Sequence, residues 1–212
     1  MRVARNGQVT VESCRGPYAL ATIQGARDVE SETVIHCDVA LEPFEYVDWL
    51  LGTMRGYTLA VELRHRTWSD EASRTGEVLR SHGASWVLID EPKFKDSIQQ
   101  EFEGSGGSEV LYIRMHGRNT AAWWDHAESE DRYNYLYSPK ELEPVADTVR
   151  TASERKRRVL LYMNNHFSAK AVANAAILKH QIGQPVPGEY PAAMVDRYPE
   201  LEGIVSTSGL PL

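Results

Sequence analysis

The 212 residues, 42% hydrophobic and 25% charged, suit one sizeable soluble domain. A net charge of -7 does not favour non-specific binding to nucleic acid or anionic membrane, although a local basic site is compatible with it. Cys14 and Cys37, in no metal-like spacing, fit a reducing cytoplasm rather than a disulfide scaffold. No apolar run approaches the roughly 18 residues of a membrane span, and Met1-Arg2-Val3-Ala4-Arg5-Asn6 does not read as a signal peptide.

In chain order, Val9-Thr10-Val11-Glu12 and Ala19-Leu20-Ala21-Thr22-Ile23 read as short strands around Arg15-Gly16-Pro17. From Glu42 onward, helix and strand alternate. Glu42-Pro43 opens a helix carrying Phe44, Val47, Leu50 and Leu51, stopped near Gly52. A strand over 58–63 follows, then a helix capped by Ser69-Asp70-Glu71 and ending near His82-Gly83. Residues 86–90 form a buried strand, 93–108 a polar loop, 110–115 a strand, and 117–137 a long aromatic loop. Ser138-Pro139-Lys140-Glu141 is a capping box for a helix through Leu142, Val145, Ala146 and Val149. The last strand spans 159–163. Ser168 caps a final helix that stops at Gly183, and a proline-rich tail from Gln184 reads as an irregular strap. Four strands alternating with helices imply parallel pairing and right-handed crossovers.

Three of these strands end in polar groups, which points to one shared site at the carboxyl edge of the sheet. In Leu59-Ala60-Val61-Glu62-Leu63-Arg64-His65, alternation sets Glu62 and Arg64 on one face. They read as a substrate-positioning pair or as a buried ion pair within a barrel layer. His65 and Trp68 follow in the loop, Trp68 as a packing lid. Asp90 ends its strand as an acid–base group or as a turn carboxylate. Arg114 and His116 share a face, and Arg118 follows Gly117. Two guanidiniums and an imidazole suit a phosphate or carboxylate, or an internally satisfied polar plug.

Asn164, Asn165 and His166 end the last strand, where amides orient a substrate or brace loops. Asn174, unfavourable inside a helix, reads as a bond to a neighbouring loop. Trp123, Trp124, Tyr133, Tyr135 and Tyr137 pack the long loop or offer a stacking surface. His116 and His126 with Glu62 or Asp90 lack any metal-motif spacing, so no metal is assigned. Arg155-Lys156-Arg157-Arg158 reads as a solvated helix end.

Several of these motifs resemble the YecE-like family, domain of unknown function 72. Val61-Glu62-Leu63-Arg64-His65-Arg66-Thr67-Trp68 is similar to its fifth-strand motif. Tyr112-Ile113-Arg114-Met115-His116-Gly117-Arg118 resembles the seventh, with Tyr135-Leu136-Tyr137-Ser138 approaching the next helix. Tyr162-Met163-Asn164-Asn165-His166 with Ala171-Val172-Ala173-Asn174-Ala175 resembles the eighth. The resemblance covers about residues 43–183 and implies a TIM-like barrel of unestablished activity. The family's first-strand Gly-Thr-Ser-Gly-Trp signature is absent, as are its Val-Glu-Ile-Asn-x-x-Phe-Tyr and Gln-Leu-Pro-Pro strands. Thr33-Val34-Ile35-His36-Cys37-Asp38 reads as a remnant after the fourth strand. A truncated product, a head supplying substitute strands, and two chains completing each other are all compatible with this pattern.

The expected fold class is α/β: a partial (β/α) TIM-like barrel of about four carboxyl-terminal βα units. The domains are an atypical head at 1–41, the barrel portion at 42–183 and the strap at 184–212. The expected function is an enzyme, hydrolytic in character, acting on a phosphate-bearing small molecule or nucleotide at the barrel mouth. Glu62, Asp90 and His116 are the catalytic candidates. Arg64, His65, Arg114, Arg118, Asn164, Asn165 and Ser168 are the substrate-binding candidates. No cofactor is assigned. The rivals are a non-catalytic binder of a small anion or nucleic acid, and a truncated product without activity. No membrane partner is expected, and open sheet edges predict self-association.

Overall fold

The structure is a computed structural model that describes residues 44–101, 109–124, 127–128, 130–155 and 158–208, together with the backbone of 9–10, 22–23 and 32–37. It divides into two compact units. The first is Met1–Ile89, Lys93–Ile113 and Arg157–Leu160; the second is Asp90–Pro92, Arg114–Lys156 and Leu161–Leu212.

In the first unit, β1 (Val9–Thr10) and β2 (Thr22–Ile23) form an antiparallel pair. The head also supplies β3 (Glu32–Cys37), parallel to β4 (Thr58–Leu63) with Glu32 opposite Thr58 and Cys37 opposite Leu63. The set of four parallel strands expected from sequence is therefore extended by β3. β4 is buried from Leu59 to Leu63 on both faces, as in a sheet covered on two sides.

Helix α1 (Phe44–Thr53) turns Phe44, Val47, Leu50 and Leu51 inward, at the spacing of one helical face. Phe44 meets the fully buried Trp68 edge-on, with ring centroids 5.4 Å apart. Trp68 is thus a core residue. It lies in α2 (Arg66–Asp70), which is separate from α3 (Ala72–Ser81). The expected Ser69-Asp70-Glu71 cap gives way to His65, whose side chain accepts from the Thr67 N–H and initiates α2. Glu71 makes no side-chain cap.

The strand predicted over 86–90 is split into β5 (Ser85–Trp86) and β6 (Leu88–Asp90). β5 pairs with β4, and Val87 N–H reaches Val61 O at 2.9 Å. At the break, the Gln100 side chain stands in for a neighbouring strand. Its Nε2 donates to Val87 O at 2.9 Å and its Oε1 accepts from Ile89 N–H at 3.1 Å. The loop carrying Gln100 is itself anchored by the buried Ile98, whose N–H reaches Arg64 O at 2.7 Å.

The next sheet has the order β6, β7 (Val110–Met115), β8 (Arg158–Met163). Bonds from Arg158 N–H to Glu109 O and from Asn164 N–H to Met115 O advance together, so β7 and β8 are parallel. Among the described residues these strands form open sheets, and no closed barrel is present. This is the α/β, TIM-like arrangement of parallel strands and intervening helices expected from the alternating pattern.

In the second unit, α4 (Pro139–Glu154) starts at the predicted capping box, with Ser138 and Glu141 each bonding the other's backbone N–H. Helix α5 (Lys170–Gln181) does not start at a serine cap. Ser168 and Ala169 both adopt left-handed backbone, and Ala169 stands at the cap position with no side-chain bond. The tail is regular rather than irregular: β9 (Glu189–Pro191), α6 (Ala192–Arg197) and β10 (Ser206–Ser208) form a small unit with β9 and β10 parallel. No helix among the described residues is long and apolar enough to cross a membrane.

If Gln100 substitutes for a missing strand partner, Gln100→Ala leaves two backbone groups unpaired. The expected cost is about 1–3 kcal/mol of unfolding free energy, with faster hydrogen exchange at the Ile89 amide. Wild-type stability and protection in the variant would refute the role.

Candidate functional site

At the end of β4, in the first unit, Glu62 and Arg64 share the strand face that alternation assigns them. Glu62 is fully buried, and its Oε1 lies 3.9 Å from Arg64 Nε. His65 is occupied locally, since its Nδ1 meets both the Thr67 hydroxyl (3.0 Å) and the Thr67 N–H (3.3 Å). Through Nδ1, His65 is a helix cap.

In the second unit, Asp90 organises a denser group. Its side chain is 6% exposed and receives Arg118 as a fork: Nε at 2.9 Å from Oδ1 and Nη2 at 2.6 Å from Oδ2. Tyr137 Oη donates to Asp90 Oδ1 at 2.7 Å and accepts from Gly117 N–H at 2.8 Å. Arg118 also reaches Glu141 Oε1 at 3.3 Å, and the Tyr135 hydroxyl donates to the same oxygen at 2.5 Å. Of the two readings of Arg118, the contacts match the internally satisfied polar plug, with two carboxylates on its guanidinium. Asp90 is bonded by Arg118 and Tyr137.

These contacts set the charge states. The hydrogen bond to Asp90 raises Arg118 above its ordinary value, against the opposing effect of burial. Burial, followed by the Asp90 charge and hydrogen bond, pushes the Tyr137 phenol well up. Burial and the Glu141 hydrogen bond push Tyr135 up to about 12. Burial tends to raise Glu141, but hydrogen bonds from Tyr135 and Ser138, together with the Arg118 charge, leave it lowered.

Buried amides fix this group in place. Asn174 accepts from Tyr137 N–H (3.0 Å) and donates to Tyr137 O (2.7 Å), the loop bond expected of it. Asn165 is fully buried and donates to Tyr135 O (2.8 Å) and Asn174 Oδ1 (2.7 Å). Its amide N–H groups hold the loop. Gly117 has φ +92, and a Cβ there would lie 2.8 Å from the Tyr135 Cβ, so the position requires glycine.

A second cluster sits at the ends of β7 and β8. Arg114 Nε donates to Asn164 Oδ1 at 3.4 Å, and both residues are partly exposed. The exposed His166 places Nδ1 2.9 Å from Asn164 O. Its ring centroid lies 5.3 Å from that of Tyr133 at a tilt of 37°, and the Tyr133 ring lies 6.2 Å from that of the buried His116. Trp123 meets Tyr133 edge-on. The sequence brings Arg114, His116 and Asn164 to this edge as expected. Sequence reasoning did not place Tyr133 between the two imidazoles, since it sits in a 3-10 turn at Asp131–Tyr133 inside the long loop. Ser168 offers its carbonyl, not a cap, to the Tyr198 hydroxyl.

Among the described residues no three His, Cys, Asp or Glu side chains gather as a metal site. His126, Lys156 and Arg157 lie outside the described residues.

Comparison with known proteins places this geometry. The family described as "Protein of unknown function DUF72" matches residues 35–194. The chain belongs to the DUF72 family. A crystal structure of a DUF72 family protein from Thermotoga maritima is 32% identical with a TM-score of 0.62, covering 72% of this chain and 58% of that one. A DUF72 family protein from Enterococcus faecalis, 18% identical with a TM-score of 0.64, covers 75% and 62% and shares the fold. This chain thus spans about three fifths of the length of these solved relatives. No curated protein matches it.

Two outcomes follow. Arg118→Ala should destabilise by about 3 kcal/mol, the low end for breaking a buried pair because Arg118 is 40% exposed. Adding Asp90→Asn should restore part of that loss in chemical denaturation; no recovery would mean that the Asp90 charge is not what Arg118 balances.

The second outcome concerns alkaline pH. The folded-state values of Tyr135 and Tyr137 lie above the unfolded value of about 10. Their stabilisation is therefore complete below pH ~10 and is lost as pH rises through the folded values, beginning with Tyr135 at about 12. Melting temperature should fall between pH ~10 and ~12, and less steeply in Tyr135→Phe. Identical slopes in both proteins would contradict the assignment.

Proposed function

We propose that the chain binds a phosphate-bearing small molecule of nucleotide type at the carboxyl ends of β7 and β8, with Arg114 as its principal anion ligand. The observation that carries this reading is the joined cluster of Arg114, Asn164, His166, Tyr133 and His116. It combines a guanidinium, an amide and two imidazoles at adjacent strand ends with the Tyr133 ring between the imidazoles. A guanidinium fork matches a phosphate as it matches a carboxylate, which suits Arg114 to an anionic ligand. The ring of the exposed His166 offers a face for a planar base.

In the same reading, His116 is the group suited to proton transfer, because Asp90 is committed to Arg118 and Tyr137. Family membership adds no reaction to this, since fold and chemistry are separable. Glu62, Arg64 and His65, at the end of β4, are outside the proposal.

Calorimetric titration of adenosine monophosphate and of adenosine into wild type and Arg114→Ala tests the reading. The monophosphate should bind more tightly than the nucleoside, and Arg114→Ala should weaken it roughly ten- to hundred-fold, the worth of a charged hydrogen bond. Equal affinity in the two proteins, or no saturable binding to folded wild type, would exclude the site.

A further inference from the structure

The turn that leads from β8 into α5 is held in an unfavourable conformation. Ser168 and Ala169 have φ values of 53° and 63°, left-handed backbone that a Cβ disfavours. Neither is one of the residues that visit this region routinely, and alanine is the best of all helix formers. The backbone on either side is right-handed: His166 has φ −75° and ψ −13°, and Lys170 has φ −58° and ψ −36°. Ordinary right-handed backbone at 168 and 169 would therefore run α5 back to His166 as one straight helix. The kinked turn has local bonds, from Ala169 N–H to His166 O at 3.2 Å and from Lys170 N–H to Phe167 O. Bonds of that spacing are open to a straight helix as well, so the kink needs support from elsewhere.

The tail supplies it. The Tyr198 hydroxyl donates to Ser168 O. Tyr198 is 4% exposed and stands between α6 and a 3-10 turn at Pro199–Leu201. Its N–H bonds Met194 O at 2.9 Å, and its carbonyl accepts from Leu201 N–H at 3.0 Å. Met194 and Leu201 are themselves buried. The hydroxyl is thus fixed by the tail's own fold, and it grips a carbonyl whose direction the left-handed backbone sets. At the other end of the turn stands His166, with Nδ1 2.9 Å from Asn164 O and its ring 5.3 Å from that of Tyr133. Turning 168 and 169 over to right-handed backbone re-aims the Ser168 carbonyl and His166 relative to each other.

We infer that Tyr198 is a positioning residue: through its hydroxyl the tail holds this turn in the less favourable of two conformations and so sets the His166 ring at the ends of β7 and β8. The effect on ligand binding rests on the proposed function; the clamp itself is a property of the unliganded chain.

NMR of the whole chain separates the two. Compare wild type, Tyr198→Phe, the pair Ser168→Gly with Ala169→Gly, and all three changes together, then titrate adenosine monophosphate into each. Tyr198→Phe keeps the buried ring, and the rest of the spectrum reports that each variant is folded. The amides of residues 166–170 and the His166 ring signals should move in Tyr198→Phe. The dissociation constant for the monophosphate should rise about tenfold, because a smaller fraction of molecules keeps the competent turn. Glycine takes left-handed backbone freely, so removing the hydroxyl in the glycine background should change affinity about threefold or less. Simple packing damage would act equally in both backgrounds. Equal losses in the two backgrounds, or unmoved signals from His166 and the turn in Tyr198→Phe, overturn the inference. Absence of monophosphate binding to folded wild type counts against the proposed function alone, and the unliganded spectra then decide the clamp.

Discussion

The second unit depends on keeping one carboxylate charged with almost no access to water. Asp90 stands at the end of β6, and its oxygens are filled by the Arg118 fork and the Tyr137 hydroxyl. An isolated carboxylate so buried would be expensive, and here the cost is met by a charged partner and a phenol in fixed positions. Those positions depend in turn on further contacts. Tyr137 is held by Asn174 through both of its backbone polar groups, and Arg118 is steadied by Glu141. Glu141 also closes the capping box of α4. Strand end, loop and helix start are therefore one electrostatic arrangement rather than three local ones.

The polar residues at the strand ends fall into two groups. Asp90 and Arg118 bond each other in one, beside the buried amides of Asn165 and Asn174, which bond each other and the tyrosine loop. Arg114, Asn164 and His166 form the second, part-buried to exposed, joined by contacts of 3.4 and 2.9 Å.

Much of this was legible in the sequence where the governing interactions are local. Apolar runs with polar tips gave β4, β7 and β8. The Ser138–Glu141 capping box, a four-residue signal, set the start of α4. What escaped depended on distant partners. Ser168 looked like a cap, yet its conformation is tied to Tyr198, 30 residues away. Arg118 could be read as an anion ligand or as an internal plug, because sequence reveals a charge but not its partner, which lies 28 residues earlier. β5 and β6 read as one strand because nothing nearby shows that a glutamine side chain occupies the gap between them. Tyr133, inside an irregular loop, carried no periodic signal of its position between two imidazoles.

Gly117 has a consequence for how the chain can vary. It clamps the front of the long aromatic loop: its N–H is taken by Tyr137, and its bare α-carbon abuts Tyr135. The same two tyrosines close the back of the loop, through Glu141 and Asn174. Entry and exit of the loop are thus pinned to each other, whatever lies between them. Insertions or deletions in the span between Arg118 and Tyr135 alter the surface around β7 without removing the contacts of Asp90, Arg118 or the start of α4. This segment is where new specificity can be added to an otherwise fixed scaffold.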